Sequence, residues 1–216
     1  DAAEWGRLPD LASRLNVVIQ LSDGLAHAHE HGIIHRDVKP ANVSVLADET
    51  IKIVDFGIAW LEGGTLATRT GILLGTPSYM APEQFAGESV DHRVDQWSAG
   101  VILYELLAGR RPFEASTVPS LIYRVLHAPP PPLDPALRLP PRLLEVVGKA
   151  LSKDREERFP DMTAMARALR EVRDGLSGTI RMPRVQAEAS HEDEGTVLRF
   201  LPALEAGLAE RRGSRP

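Results

Sequence analysis

The chain has 216 residues, 43% of them hydrophobic and 25% charged, with a formal net charge of -5 and a pI near 5.8. That length and apolar fraction suffice for a real core in one domain followed by a short tail. The acidic balance supplies no general attraction to nucleic acid or to an anionic membrane, and the absence of cysteine excludes a disulfide framework, a thiolate zinc site and a thiol nucleophile.

No apolar run approaches the roughly 18 residues that a membrane span needs, and the opening DAAEWGRLPD lacks the charged and apolar regions of a signal peptide. The expectation is a cytoplasmic protein without a membrane span or a nucleic-acid partner. Residue 1 is Asp and not Met, which points to a chain cut from something longer.

In chain order, Leu11, Leu15, Val18, Ile19, Leu25 and Ala26 recur at helical spacing between Asp10 and Glu30, with Asp10 or Ser13 as cap and Gly32 as stop. HRDVKPAN follows, where Pro40 blocks a regular element. Val43 to Leu46 and Ile51 to Val54 are two short β-rich runs separated by Ala-Asp-Glu-Thr, which predicts a small β-hairpin with a chemical loop at each end. Glu62 to Pro77 is rich in Gly and Thr and predicts a mobile surface loop. From Asp95 to Ala108 the apolar residues cover so much of the circumference that a helix buried nearly all round is expected, closed by Gly109. Three further helices are predicted over Ser120 to His127, Arg142 to Ser152 and Asp161 to Arg173. The proline run Pro129 to Pro132 reads as a stiff spacer between two of them, with no binding role. The fold class is therefore mostly α with a small β-hairpin. A domain covers residues 1–175, and residues 176–216 form a flexible tail with a short amphipathic helix around Phe200, Leu201, Leu204 and Leu208.

HRDVKPAN and the later Asp55-Phe56-Gly57 supply the groups that phosphoryl transfer needs. A carboxylate at Asp37 could orient a hydroxyl and accept its proton, an ammonium at Lys39 could sit against a phosphate, and Asn42 and Asp55 could hold magnesium through hard oxygens. His27, His29 and His31 have spacings open to a metal, but no carboxylate or cysteine completes a site, so they are read as surface or packing residues. In the tail, Gly178-Thr179-Ile180 and Gly195-Thr196-Val197 are similar to each other and are read as chance similarity in a disordered segment.

HRDVKPAN, DFG, GTPSYMAPEQ, DQWSAG, GRRPF and KDREERF follow one another in an order that resembles the large C-terminal lobe of the protein kinase family, over about residues 8–172. The likeness is to bacterial serine/threonine kinases of eukaryotic type. It implies ATP and magnesium as cofactors and a protein substrate with a serine or threonine acceptor. By this resemblance Asp37 is the catalytic base, Lys39 contacts the transferred phosphate, and Asn42 and Asp55 are the metal ligands. Arg36 pairs with a phosphothreonine of the activation loop, for which Thr68 and Thr70 are the acceptor candidates. Thr76 supports Asp37 and Lys39. Glu83 and Arg158 form a buried scaffold pair, and Asp95 holds the backbone of the catalytic loop.

Two departures from the family pattern bear on function. No glycine-rich loop, strand lysine or paired helix glutamate precedes the first helix, so the small lobe is expected to be missing and His35 and Phe56 to leave apolar surface exposed. Ser44 stands where the family places a large apolar side chain beneath the adenine, which implies weaker nucleotide binding. Alternatives to a kinase fragment are a catalytically silent kinase-like interaction module and half of a split kinase completed by a partner chain with a small lobe.

Overall fold

The computed structural model describes residues 8–46, 48–55, 77–177, 180 and 182. Six α-helices and one two-stranded sheet make up the described chain: α1 Leu11–Glu30, β1 Val43–Val45, β2 Ile51–Ile53, α2 Pro82–Ala86, α3 Arg93–Ala108, α4 Val118–His127, α5 Pro141–Ala150 and α6 Met162–Asp174. The mostly helical class with one hairpin matches the expectation, and among the described residues no helix is long and apolar enough to cross a membrane.

α1 starts where its sequence announces it. The Asp10 carboxylate accepts from the Ser13 amide at 2.9 Å, satisfying one of the donors that a helix N-terminus leaves without a partner. Its apolar stripe, Leu11, Leu15, Val18, Leu21 and Leu25, is fully buried against α3 and α6. α3 is the central element. Trp97, Val101, Ile102, Leu103, Leu106 and Leu107 are all fully buried, and the helix ends at Gly109, whose φ of 73° and amide bond to the Glu105 carbonyl make a left-handed cap. The hairpin is antiparallel, with Val43, Ser44 and Val45 opposite Ile53, Lys52 and Ile51. It sits on α1 at Gly24, where any Cβ would come within 2.8 Å of the Ile53 side chain, so glycine lets the helix approach the strand. Gln20 completes the seat by donating to the Glu49 carbonyl and accepting from the Ile51 amide.

The short elements that were not predicted include a 3₁₀ turn at Pro77–Tyr79 and the five-residue α2. Neither is long enough to show a period. α2 depends instead on Pro82 in its first turn and on Gln84, whose side-chain oxygen accepts from the Ala81 amide at 2.8 Å. The chain also stays attached past the boundary expected near residue 175. The Ile180 carbonyl accepts from the Leu11 amide, and the Met182 amide donates to the Pro9 carbonyl. Both side chains pack against the core.

A polar residue lies in the middle of this packing. Gln96 on α3 is fully buried, and neither its amide nitrogen nor its oxygen has a hydrogen-bond partner among the described residues. Leaving such groups without partners costs about 1–3 kcal/mol. Gln96→Met, similar in length and apolar, should therefore raise unfolding stability by about 1–2 kcal/mol, measured as a shift in the urea midpoint at unchanged slope. A destabilised variant would mean that the Gln96 amide is satisfied in solution.

Candidate phosphoryl-transfer site

The site is built on a loop held from below. Asp95, in the first turn of α3, is fully buried, and its carboxylate accepts from the backbone amides of His35 at 2.9 Å and Arg36 at 2.8 Å. Arg36 has φ 65°, a left-handed conformation that costs a non-glycine residue about 1–3 kcal/mol and persists only where the surroundings enforce it. Two charge-assisted bonds to one buried carboxylate do so. Gln84 of α2 adds a third restraint, donating to the Arg36 carbonyl at 3.2 Å. The His35 ring is buried, with Nε2 at 3.1 Å from the Val54 carbonyl. The expectation that His35 leaves apolar surface open is therefore corrected: its ring is used within the loop, and the exposed large apolar side chains nearby are Ile33, Leu46 and Val54.

Above this base the polar side chains converge. Lys39 Nζ lies 2.8 Å from Asp37 Oδ2. Asn42 Nδ2 donates to the Asp37 carbonyl at 2.8 Å and to Asp37 Oδ2 at 3.2 Å. Both side-chain contacts fall on Oδ2, and among the described residues Oδ1 makes no hydrogen bond. Pro40 sets the geometry, since it opens the 3₁₀ turn Pro40–Asn42 that carries Asn42 back toward Asp37. Asp55 follows β2, is exposed and has φ 54°. The structure thus brings Asp37, Lys39 and Asn42 together and places Asp55 at the end of the neighbouring strand. Phe56, Gly57, Thr68, Thr70 and Thr76 lie outside the described residues.

The scaffold pair is closed. Arg158 and Glu83 form a bidentate ion pair at 2.7 and 2.8 Å, both side chains buried. Arg158 also donates to the carbonyls of Ser152 and Arg93. Tyr79 is fixed by its hydroxyl, which donates to Glu105 at 2.7 Å, and by its carbonyl, which accepts from Ser98. Burial first, and the Glu105 carboxylate second, push the Tyr79 phenol well above its usual range.

Two site-supporting residues escaped the sequence reading, Gln84 and His29. His29 Nε2 lies 2.7 Å from Asp95 Oδ2, so this ring is the third contact on the carboxylate that holds the loop. His27 and His31 are exposed on the surface, tilted against each other at 4.6 Å. The three histidines look alike in the sequence; only the helix's contact with α3 separates them.

Lys153 forms a second cationic site between helices. Its ammonium lies 3.9 Å from the Phe113 ring centre and 4.7 Å from that of Trp97, and it donates to the Val125 carbonyl at 2.5 Å near the end of α4. Burial, and secondarily the charge of Arg158, nevertheless push it down from 10.5 to about 7. Between those values the unfolded chain holds a proton that the folded chain has released, so stability rises with pH through that window; below it the full penalty of the buried ammonium is present. Melting curves at pH 7 and pH 9.5 should show a larger rise for the wild type than for Lys153→Met. Equal pH dependence in the two would rule this out.

Comparison with known proteins agrees with the geometry. The chain is 39% identical over 219 residues to the serine/threonine-protein kinase PknA of Corynebacterium glutamicum, covering 97% of this chain and 45% of the relative. It is 36% identical over 198 residues to PknB of Mycolicibacterium smegmatis, covering 90% of this chain and 31% of the relative. It is 36% identical over 170 residues to PknL of Mycobacterium tuberculosis, covering 78% of this chain and 43% of the relative. The chain thus spans less than half the length of these curated relatives. The protein kinase domain family matches residues 9–169, and the chain belongs to that family.

Proposed function

We propose that this lobe transfers the γ-phosphoryl group of ATP to serine and threonine hydroxyls of protein substrates. The observation that carries the reading is the arrangement at Asp37, where Lys39 and Asn42 both bind Oδ2 and leave Oδ1 for the acceptor hydroxyl. Asp37 orients that hydroxyl and takes its proton as the oxygen attacks phosphorus. Lys39, already beside Asp37, holds the transferred phosphate. A silent interaction module has no need of a carboxylate oriented in this way by two side chains.

The donor set fits magnesium. Asn42 spends its amide nitrogen on Asp37, which leaves its carbonyl oxygen, and Asp55 offers an exposed carboxylate; both are hard oxygen ligands. Magnesium, when bound, neutralises charge on the phosphate oxygens. Ser44 at the centre of β1 gives less apolar contact beneath an adenine than a leucine gives. Covering the phosphates calls for a small lobe, which this reading takes from further residues of the polypeptide or from a partner chain. Phosphorylation at Thr68 or Thr70, read by Arg36, is the regulatory part of the proposal.

The test is transfer of label from γ-labelled ATP, with magnesium, to a generic protein substrate by the longest polypeptide that the gene encodes. Phosphoserine or phosphothreonine should be recovered by acid hydrolysis. ATP binding without any transfer would favour the silent module instead.

A further inference from the structure

Two non-glycine residues at the site hold left-handed backbone, Arg36 at φ 65° and Asp55 at φ 54°. Each φ is a rotation between the residue and the peptide plane before it, so such a conformation persists where that plane is held. Both planes are held here. The Arg36 amide donates to Asp95 Oδ1 at 2.8 Å, and the Val54 carbonyl accepts from His35 Nε2 at 3.1 Å. The His35 ring is oriented in turn, because its Nδ1 accepts from the Asp37 amide at 3.4 Å and its backbone amide donates to Asp95 Oδ2 at 2.9 Å. Asp95 is thus the common anchor of the two strained positions.

His29, in the last turn of α1, donates from Nε2 to Asp95 Oδ2 at 2.7 Å, the shortest of these three contacts on the carboxylate. The two side chains are 11% and 0% exposed, so water neither replaces this bond nor screens it. The ring also leans on His92, with centres 5.5 Å apart, and His92 Nε2 lies 3.0 Å from the Pro160 carbonyl. His29 Nδ1 is buried and has no hydrogen-bond partner among the described residues. A buried polar atom without a partner costs free energy that an apolar side chain would avoid. Packing alone therefore does not account for a histidine at this position; the bond to Asp95 does.

We propose that His29 is a positioning residue for phosphoryl transfer, the outer member of a relay through Asp95 and His35 that fixes the Asp37 and Asp55 carboxylates relative to each other. Its effect on turnover rests on the transfer function proposed for Asp37; the relay itself rests on the hydrogen bonds alone. Without the His29 donor the buried carboxylate loses a charge-assisted bond and is free to turn. The Arg36 plane then loosens directly, and the Val54 plane loosens through His35. These planes belong to different segments, the loop before Asp37 and the end of β2, so they relax independently. The error falls on the separation of two groups that must act on one phosphoryl group, where a displacement of about 1 Å can cost about 100-fold in rate.

The experiment measures amide hydrogen exchange by NMR in the full chain for the wild type, His29→Leu, His29→Asn and His29→Gln. The Gln amide reaches the position of Nε2, whereas Leu has no donor and the Asn amide stops short. The His35 and Arg36 amides should exchange at least about tenfold faster in the Leu and Asn variants, the effect of weakening a hydrogen bond to a charged group. Amides in the middle of α3 should keep their wild-type rates, and His29→Gln should restore protection. In the longest polypeptide that the gene encodes, kcat should fall by about 10–100-fold in the same two variants, with KM for ATP unchanged and recovery in His29→Gln. Exchange in His29→Leu equal to the wild type, or equal rates in the Asn and Gln variants, would make the ring a packing group and overturn the proposal. Faster exchange at wild-type kcat would overturn it as well. A wild type that transfers no phosphate would instead count against the function proposed for Asp37, and the exchange rates would still decide the relay.

Discussion

Asp37→Asn should lower the rate of phosphoryl transfer by about 10²–10⁴-fold, the range that a positioned general base supplies, while leaving the protein folded. The substitution keeps the shape of the side chain and removes its charge. Asn42 retains its 2.8 Å bond to the carbonyl of residue 37, and the backbone amides of His35 and Arg36 remain on Asp95. What is lost is the pair with Lys39, whose side chains are 20% and 31% exposed. A pair so open to water contributes about 0–1 kcal/mol, so the melting temperature should move by no more than a few degrees. The loss should appear in kcat, with KM for ATP nearly unchanged, because in the proposed mechanism Asp37 acts on the acceptor hydroxyl and not on the nucleotide. Undiminished turnover would remove Asp37 from the mechanism; a loss confined to KM would make it a nucleotide-binding group.

The main elements were legible because each is local. Asp10 caps α1 three residues from the amide it binds, and the apolar stripe of that helix repeats within one turn. α3 could be read as buried nearly all round because Val101, Ile102, Leu103, Leu106 and Leu107 cover most of its circumference. The motif around Asp37 was likewise readable, since Asp37, Lys39 and Asn42 lie within a few residues of one another and Pro40 turns the chain between them. What was not legible joins distant positions. His29 meets Asp95 across 66 residues, and nothing in three closely spaced histidines says which one turns inward. Ile180 and Met182 bond to Leu11 and Pro9 through backbone groups, and their two apolar side chains on the core are too few to form a period in the sequence. Gln96 runs the other way. Its amide is buried in the central helix, where local pattern and tertiary burial disagree.

Arg158→Met should cost about 3–5 kcal/mol of stability, the usual result of stranding one member of a buried ion pair. The guanidinium is fully buried and the Glu83 side chain is 5% exposed, so neither water nor salt replaces the lost partner. Removing Arg158 strands more than the Glu83 carboxylate, because the same group also serves the carbonyls of Ser152 and Arg93. Glu83→Gln should cost less, about 1–3 kcal/mol, since the amide oxygen still accepts one bond and the guanidinium keeps its carbonyl partners. For a chain of this size the larger loss lowers the melting temperature by about 6–20 °C. Glu83 belongs to α2, whose Gln84 holds the Arg36 carbonyl, so activity should fall with the folded fraction and return on cooling, whereas the Asp37→Asn defect should persist at every temperature. Thermal melts run beside transfer rates separate the two. An Arg158→Met protein that melts with the wild type would show that the pair is dispensable and that α2 is held by its backbone contacts alone.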